Sequence, residues 1–152
     1  MTKKAHSALT LERFLPYRLS ILSNKVSADI ARSYHDKFGL SIIEWRIMAV
    51  LGEYPGISAD EVSCKTQIEK SILSRAINVL RQRNLLDRTF HLTDRRRSIL
   101  TLTATGIQVY KEIVPMAYQY EQRLLTCFNK HEKLQFSELI DKLYEHAEDL
   151  DI

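Results

Sequence analysis

Between Lys65 and Arg97 the chain carries nine basic residues, namely Lys65, Lys70, Arg75, Arg81, Arg83, Arg88, Arg95, Arg96 and Arg97, against three acidic ones, Glu69, Asp87 and Asp94. Two groups within this stretch have the residue types and spacing to engage a polyanion. The first is Lys65, Gln67, Lys70, Ser71, Ser74 and Arg75. The Arg75 guanidinium suits bidentate pairing with guanine O6 and N7, and Gln67, Ser71 and Ser74 are short enough to reach base edges or phosphates. Lys65 and Lys70 suit phosphate neutralisation, which positions a protein on a duplex without reading it. The second group is the run Asp94, Arg95, Arg96 and Arg97. An arginine pushed into a narrow minor groove is drawn by its enhanced negative potential. Arg96 is assigned that role, Asp94 is placed to hold its guanidinium, and Arg95 and Arg97 are assigned to phosphates.

No comparable set points to catalysis. The five histidines, His6, His35, His91, His131 and His146, show no metal-ligand spacing, no Gly-rich phosphate loop is present, and no nucleophile sits in a recognisable turn. An enzyme is therefore not expected, nor a metal or cofactor. Cys64 and Cys127 are too few and too far apart for a disulfide framework, which fits a reducing, cytoplasmic setting. No stretch approaches the ~18–20 apolar residues of a membrane span.

The whole chain of 152 residues has a net charge of only +3, so the excess of six in the basic centre leaves the remainder net acidic. Residues 130–152 hold seven Asp or Glu against three Lys, which keeps that end away from a polyanion. With 45% hydrophobic residues, four Gly and three Pro, the chain reads as one mainly helical domain without the turn density of an all-β fold.

The elements that would position the two groups are legible from periodicity and caps. Leu15, Leu19, Leu22, Val26, Ile30, Tyr34 and Phe38 form one stripe of a long helix, with Pro16 in its first turn, residues 9–15 as a separate short turn or arm, and Gly39 as its stop. Ser41 with Glu44, Ser58 with Glu61, and Asn129 with Glu132 read as capping boxes that open three further helices. Another helix spans about Glu69 to Arg83, with Ile72, Leu73, Ala76, Ile77 and Leu80 on its buried side and Asn84 as a left-handed cap. Alternation over residues 86–91 and 98–102 predicts a hairpin with the three arginines at its tip. Thr103 caps a helix running to about Cys127, with a bend expected at Pro115. Two short helices, the second with an exposed Lys-Ser-x-x-Ser-Arg face, then a basic hairpin, make a winged helix-turn-helix.

At this point the chain resembles the MarR family of dimeric winged-helix regulators. The resemblance rests on Ser58-Ala59-Asp60-Glu61-Val62, on Glu69-Lys70-Ser71-Ile72-Leu73-Ser74-Arg75, and on Asp94-Arg95-Arg96 followed by Leu100-Thr101-Leu102-Thr103-x-x-Gly106. Asn84 stands in place of the family's usual Gly, Glu69 in place of its Asp, and the wing lacks its frequent Pro. The resemblance implies a mainly α protein with a small β-hairpin wing. Residues 1–40 would form an N-terminal arm and dimerisation helix, 41–103 a DNA-binding lobe, and 104–152 C-terminal dimerisation helices. It implies a homodimer on a pseudo-palindromic operator in double-stranded DNA, acting as a repressor and released by a small aromatic or phenolic effector.

The segment Phe14-Leu15-Pro16-Tyr17-Arg18-Leu19 looks like a subgroup that responds to aromatic acids or their CoA thioesters. An anionic aromatic ligand wants a cation or donor inside an aromatic wall, which makes Tyr17, Arg18, Ser23, His35, Trp45 and Arg46 the pocket candidates. Two other readings stand beside this one: a winged helix that docks a protein partner, and a redox-responsive regulator using Cys64. The peroxide-sensing branch of the family uses a cysteine near the N-terminus, and none is present here.

Overall fold

The computed structural model describes residues 8–90, 92–94 and 96–150. A 3-10 turn, Leu11–Arg13, precedes α1, Leu15–Phe38, which has Pro16 in its first turn and ends on Gly39 in the left-handed region at φ 65°. α2 spans Ile42–Glu53 and α3 spans Ala59–Thr66, each opened by its expected reciprocal box, Ser41 with Glu44 and Ser58 with Glu61. α4, Lys70–Gln82, ends before Asn84, which adopts φ 57° as a cap residue without a glycine's freedom.

β1, Leu86–Phe90, pairs antiparallel with β2, Ser98–Leu102, in the register Leu86 to Leu102 and Phe90 to Ser98. Leu100 also bridges to Ile57 on its other side, donating to the Ile57 carbonyl at 2.8 Å. The wing is thereby anchored to the segment between α2 and α3. α5, Ala104–Leu124, continues as a helix through Pro115 and is followed by a 3-10 turn, Leu125–Cys127. α6, Lys130–Glu148, opens on the third box, Asn129 with Glu132.

The chain packs as two compact units, one up to Ile113 and one from Val114 on. In the first, Ile47, Met48 and Leu51 of α2 meet Val62 of α3, Leu73, Ile77 and Leu80 of α4, and the inward leucines of the wing, all at or near zero exposure. Tyr34 near the end of α1 and Ile113 of α5 are buried as well. The α1 stripe is split: Tyr34 is buried, while Leu15, Leu19 and Leu22 are 46%, 47% and 52% exposed. Ile72, expected on the buried side of α4, is exposed. It sits about 100° round the helix from Leu73, past the edge of the packed face.

In the second unit Phe128 packs on Phe136 with ring centroids 5.3 Å apart. No residue of α6 is buried, and Leu134, Leu139, Ile140, Leu143 and Tyr144 are exposed along it. An amphipathic helix whose apolar residues all face water is not explained by its own chain.

One junction holds the wing exit to α4. The Thr103 hydroxyl donates to the Asn84 carbonyl at 2.7 Å and accepts from the Gly106 amide at 3.0 Å, capping α5 as expected. The Thr103 amide donates to the Leu85 carbonyl at 3.1 Å. Gly106 lies directly against the same carbonyl, where a Cβ would come within 2.0 Å of its oxygen. The Leu-x-Leu-Thr-x-x-Gly pattern is thus a close approach of α5 to the α4–β1 turn.

Candidate nucleic-acid interface

α3 and α4 are joined by a tight turn in which Gln67 takes φ 57° and its Nε2 donates to the Cys64 carbonyl at 2.8 Å. The amide expected to reach DNA is therefore already bonded within the turn. At the start of α4, Lys70 pairs with Asp60 of α3 at 3.2 Å, both side chains largely in water. Such a pair is worth little and yields readily to a phosphate. The Ser71 hydroxyl donates to Glu69 Oε1 at 2.7 Å, and Arg75 Nε reaches the Ser71 carbonyl at 3.4 Å. Ser71, Ser74 and Arg75 are all exposed on the face of α4 opposite Leu73, Ile77 and Leu80.

Lys65 is held differently. Its ammonium stands 3.9 Å over the Tyr54 ring, and the neighbouring Glu53 carboxylate raises the Tyr54 pKa. Tyr54 was not among the expected site residues, and its link to Lys65 across the α2–α3 junction has no local sequence signal.

At the wing tip, Arg96 and Arg97 are exposed, and Arg95 lies outside the described residues. Asp94 does not hold the Arg96 guanidinium. Its Oδ1 accepts from the Arg96 backbone amide at 3.0 Å, and its carbonyl accepts from the Arg97 amide at 3.0 Å. A short acidic side chain reaches the amide two residues on more readily than a long flexible arm, so Asp94 shapes the turn that presents the arginines. Behind the tip a cleft of about 630 Å³ is bordered by Ser58, Asp60, Glu61, Arg96, Arg97 and Ile99. Glu61 is held below the usual carboxylate range, first by its bonds in the Ser58 box and further by the Lys65 and Arg97 charges.

Arg83, just past α4, ties this lobe to α1. It donates to the carbonyls of Phe38 and, at 3.2 Å, of Gly39, and stands 3.8 Å from Glu44, the box residue of α2. The partners lie 39 to 45 residues away, so spacing alone could not reveal the bond.

The six effector candidates fall into two groups. Trp45 stacks between the rings of Tyr34, at 5.7 Å, and Tyr110, at 6.0 Å, and Tyr110 lies flat on Gly52, where a Cβ would meet its ring at 2.4 Å. Burial raises the Tyr34 pKa, partly opposed by the nearby Arg46 charge, and Arg46 itself donates to the Ser27 hydroxyl at 2.9 Å. His35 Nδ1 donates to the Leu40 carbonyl at 3.3 Å. Tyr17, Arg18 and Ser23 lie on the exposed half of α1. At 1.5 Å of rise per residue, Tyr17 and Arg18 stand about 25 Å along the helix from Tyr34. Ser23 stands one turn, about 6 Å, before the Ser27 that Arg46 bonds, so within one protomer only Tyr17 and Arg18 lie far from the Tyr34 group.

The MarR family model matches residues 38–97, which contain the helix-turn-helix and the wing tip. The crystal structure of a MarR/EmrR family transcriptional regulator from Acinetobacter superposes with a TM-score of 0.86 at 27% identity, covering 93% of this chain and all of that one. Residues 38–97 belong to the MarR family. The HTH-type transcriptional regulator BilQ of Clostridium symbiosum is 26% identical over 112 residues, 74% of this chain and 78% of BilQ. BpsR of Bordetella bronchiseptica, whose DNA binding is regulated by 6-hydroxynicotinic acid, superposes with a TM-score of 0.80 at 23% identity, covering 95% of this chain and all of BpsR. As a MarR-type protein the chain is a winged-helix transcription regulator, and its relatives are regulators, not enzymes. No helix among the described residues is long and apolar enough to cross a membrane.

Proposed function

We propose that this MarR-type regulator acts in the cytoplasm as a homodimer that binds a pseudo-palindromic operator, represses transcription from it, and is released by an aromatic acid or its thioester. The observation that carries the DNA contact is the exposed Ser71, Ser74 and Arg75 face of α4 beside a wing whose tip carries Arg96 and Arg97. In this reading α4 enters the major groove, Arg96 enters the adjacent minor groove, and Lys65, Lys70, Arg95 and Arg97 meet phosphates.

The exposed leucines on the first half of α1 and the unburied apolar face of α6 support the homodimer, because each is a surface that water disfavours and a second copy would cover. A two-fold protein presents two copies of α4, so the operator carries two related half-sites about one helical turn apart. The effector reading rests on the aromatic wall of Tyr34, Trp45 and Tyr110 with Arg46 beside it. Tyr17 and Arg18 join such a site only from the partner's α1, whereas Ser23 lies one turn from the Ser27 that Arg46 bonds.

The test is selection of duplexes from a randomised pool, followed by footprinting. The expected result is one symmetric site bound by two protomers. A single asymmetric half-site bound by one protomer, or no enrichment at all, would contradict the reading. A thermal-shift screen of aromatic acids and their CoA thioesters, paired with operator release, tests the effector. A ligand that raises the melting temperature without releasing DNA would remove it from the switch.

A further inference from the structure

We infer that Asn78 reads an adenine in each half-site and is a specificity-determining residue of this regulator. The inference rests on the proposed DNA contact and concerns which side chain of α4 does the reading.

A helix laid along the major groove contacts base edges with positions i, i+3, i+4 and i+7, which share one face. Starting from Ser71, that series is Ser71, Ser74, Arg75 and Asn78, and all four are exposed. The face bears no carboxylate around Asn78: the residues one turn before and after it are Ser74, Arg75, Arg81 and Gln82. A hollow of about 360 Å³ bordered by Asn78, Arg81 and Gln82 leaves the amide uncovered by protein.

Ser74, Arg81 and Gln82 are as free as Asn78, but four other polar side chains of the region are engaged. Ser71 is bonded to Glu69, Arg75 to the Ser71 carbonyl, Gln67 to the Cys64 carbonyl and Lys70 to Asp60. Asn78 makes no side-chain hydrogen bond among the described residues. Asn is a weak helix former, because its short side chain competes for backbone groups. In the interior of α4 it caps nothing and has no side-chain partner among the described residues. A free carboxamide offers one donor and one acceptor side by side. Adenine presents the matching pair, N7 as acceptor and the N6 amine as donor, and the two close a bidentate contact.

The experiment is duplex selection from a randomised pool by the unaltered chain and by Asn78→Ala. Alanine favours the helix and fills no space that Asn78 shares with the core, so the variant keeps its fold, and its retained preferences elsewhere in the site report that directly. The expected result is loss of the A·T preference at one position in each half-site. Discrimination there falls by about 5- to 150-fold, the range of one good bidentate contact. The dependence on salt stays as it was, since a neutral side chain releases no counterion. Identical preferences at every position would overturn the inference. So would a uniform loss of affinity across all sequences, which would make Asn78 a backbone contact. If the unaltered chain enriches no duplex, the DNA-binding reading itself falls, and this inference falls with it. Enrichment by the unaltered chain with an indifferent Asn78→Ala removes the inference alone.

Discussion

Replacing Gly106 with alanine should destabilise the protein although it improves the helix. In an exposed helix interior Gly→Ala gains about 1 kcal/mol. Here the new Cβ would lie 2.0 Å from the Leu85 carbonyl oxygen and 3.0 Å from its carbon. Both atoms are backbone, so no side chain can swing aside, and α5 must back away from the α4–β1 turn by more than 1 Å to restore ordinary contact. Overpacking of this kind costs about 1–3 kcal/mol. The displacement also strains the 3.1 Å bond from the Thr103 amide to the same oxygen, worth about 1 kcal/mol. Set against the helical gain, the net loss is about 1–3 kcal/mol. Urea unfolding at fixed protomer concentration reads this as a lower midpoint by about 1 M, with an unchanged slope. A midpoint that rises would refute the reasoning, because it would mean that only the helical preference is felt.

Two further outcomes follow from the same contacts. Arg83→Met keeps the side-chain stem but removes the fork onto the Phe38 and Gly39 carbonyls. With the arginine 38% exposed, a loss of about 1–2 kcal/mol is expected by urea unfolding, and a loss below about 0.5 would show that α4 is not tied to α1 this way. Asp29, beside Lys25 and Arg32, Glu61 in its box, and Glu112 beside Lys37 all have folded pKa values held below the ordinary ones. Their contribution is full above the ordinary carboxylate range, about pH 4, and is lost as the pH falls through the depressed values. The urea midpoint should therefore fall on acidification into that range, less steeply in Glu112→Gln; equal slopes would remove the Lys37 pair from the account.

What the chain reveals by itself follows the range of each interaction. The three capping boxes, the Gly39 stop and the Asn84 turn were legible because each closes within a few residues. The Ser71, Ser74 and Arg75 face was legible for the same reason, and helical spacing alone could have extended it to Asn78. Ile72 was misplaced because the edge of a buried face is set by what packs against it, which periodicity does not contain. Asp94 was assigned a side-chain partner when the nearer amide of Arg96 was available. The Arg83 fork, the Tyr54 ring under Lys65 and the Tyr110 ring on Trp45 join segments distant in sequence, and no spacing announces them. The candidate effector residues were chosen by type, and the length of α1 then divided them.

The affinity of the unaltered chain and of Arg96→Ala for the selected duplex, followed by fluorescence anisotropy over a range of salt concentrations, tests the DNA contact of α4 and the wing. Three or four phosphate contacts per protomer, doubled by the two-fold, should make the logarithm of the binding constant fall against that of salt with a slope of about −5 to −7. Arg96→Ala should bind more weakly by about 1–3 kcal/mol while remaining a folded dimer. A slope near zero, or an affinity unchanged by the loss of Arg96, would contradict an interface built from α4 and the wing.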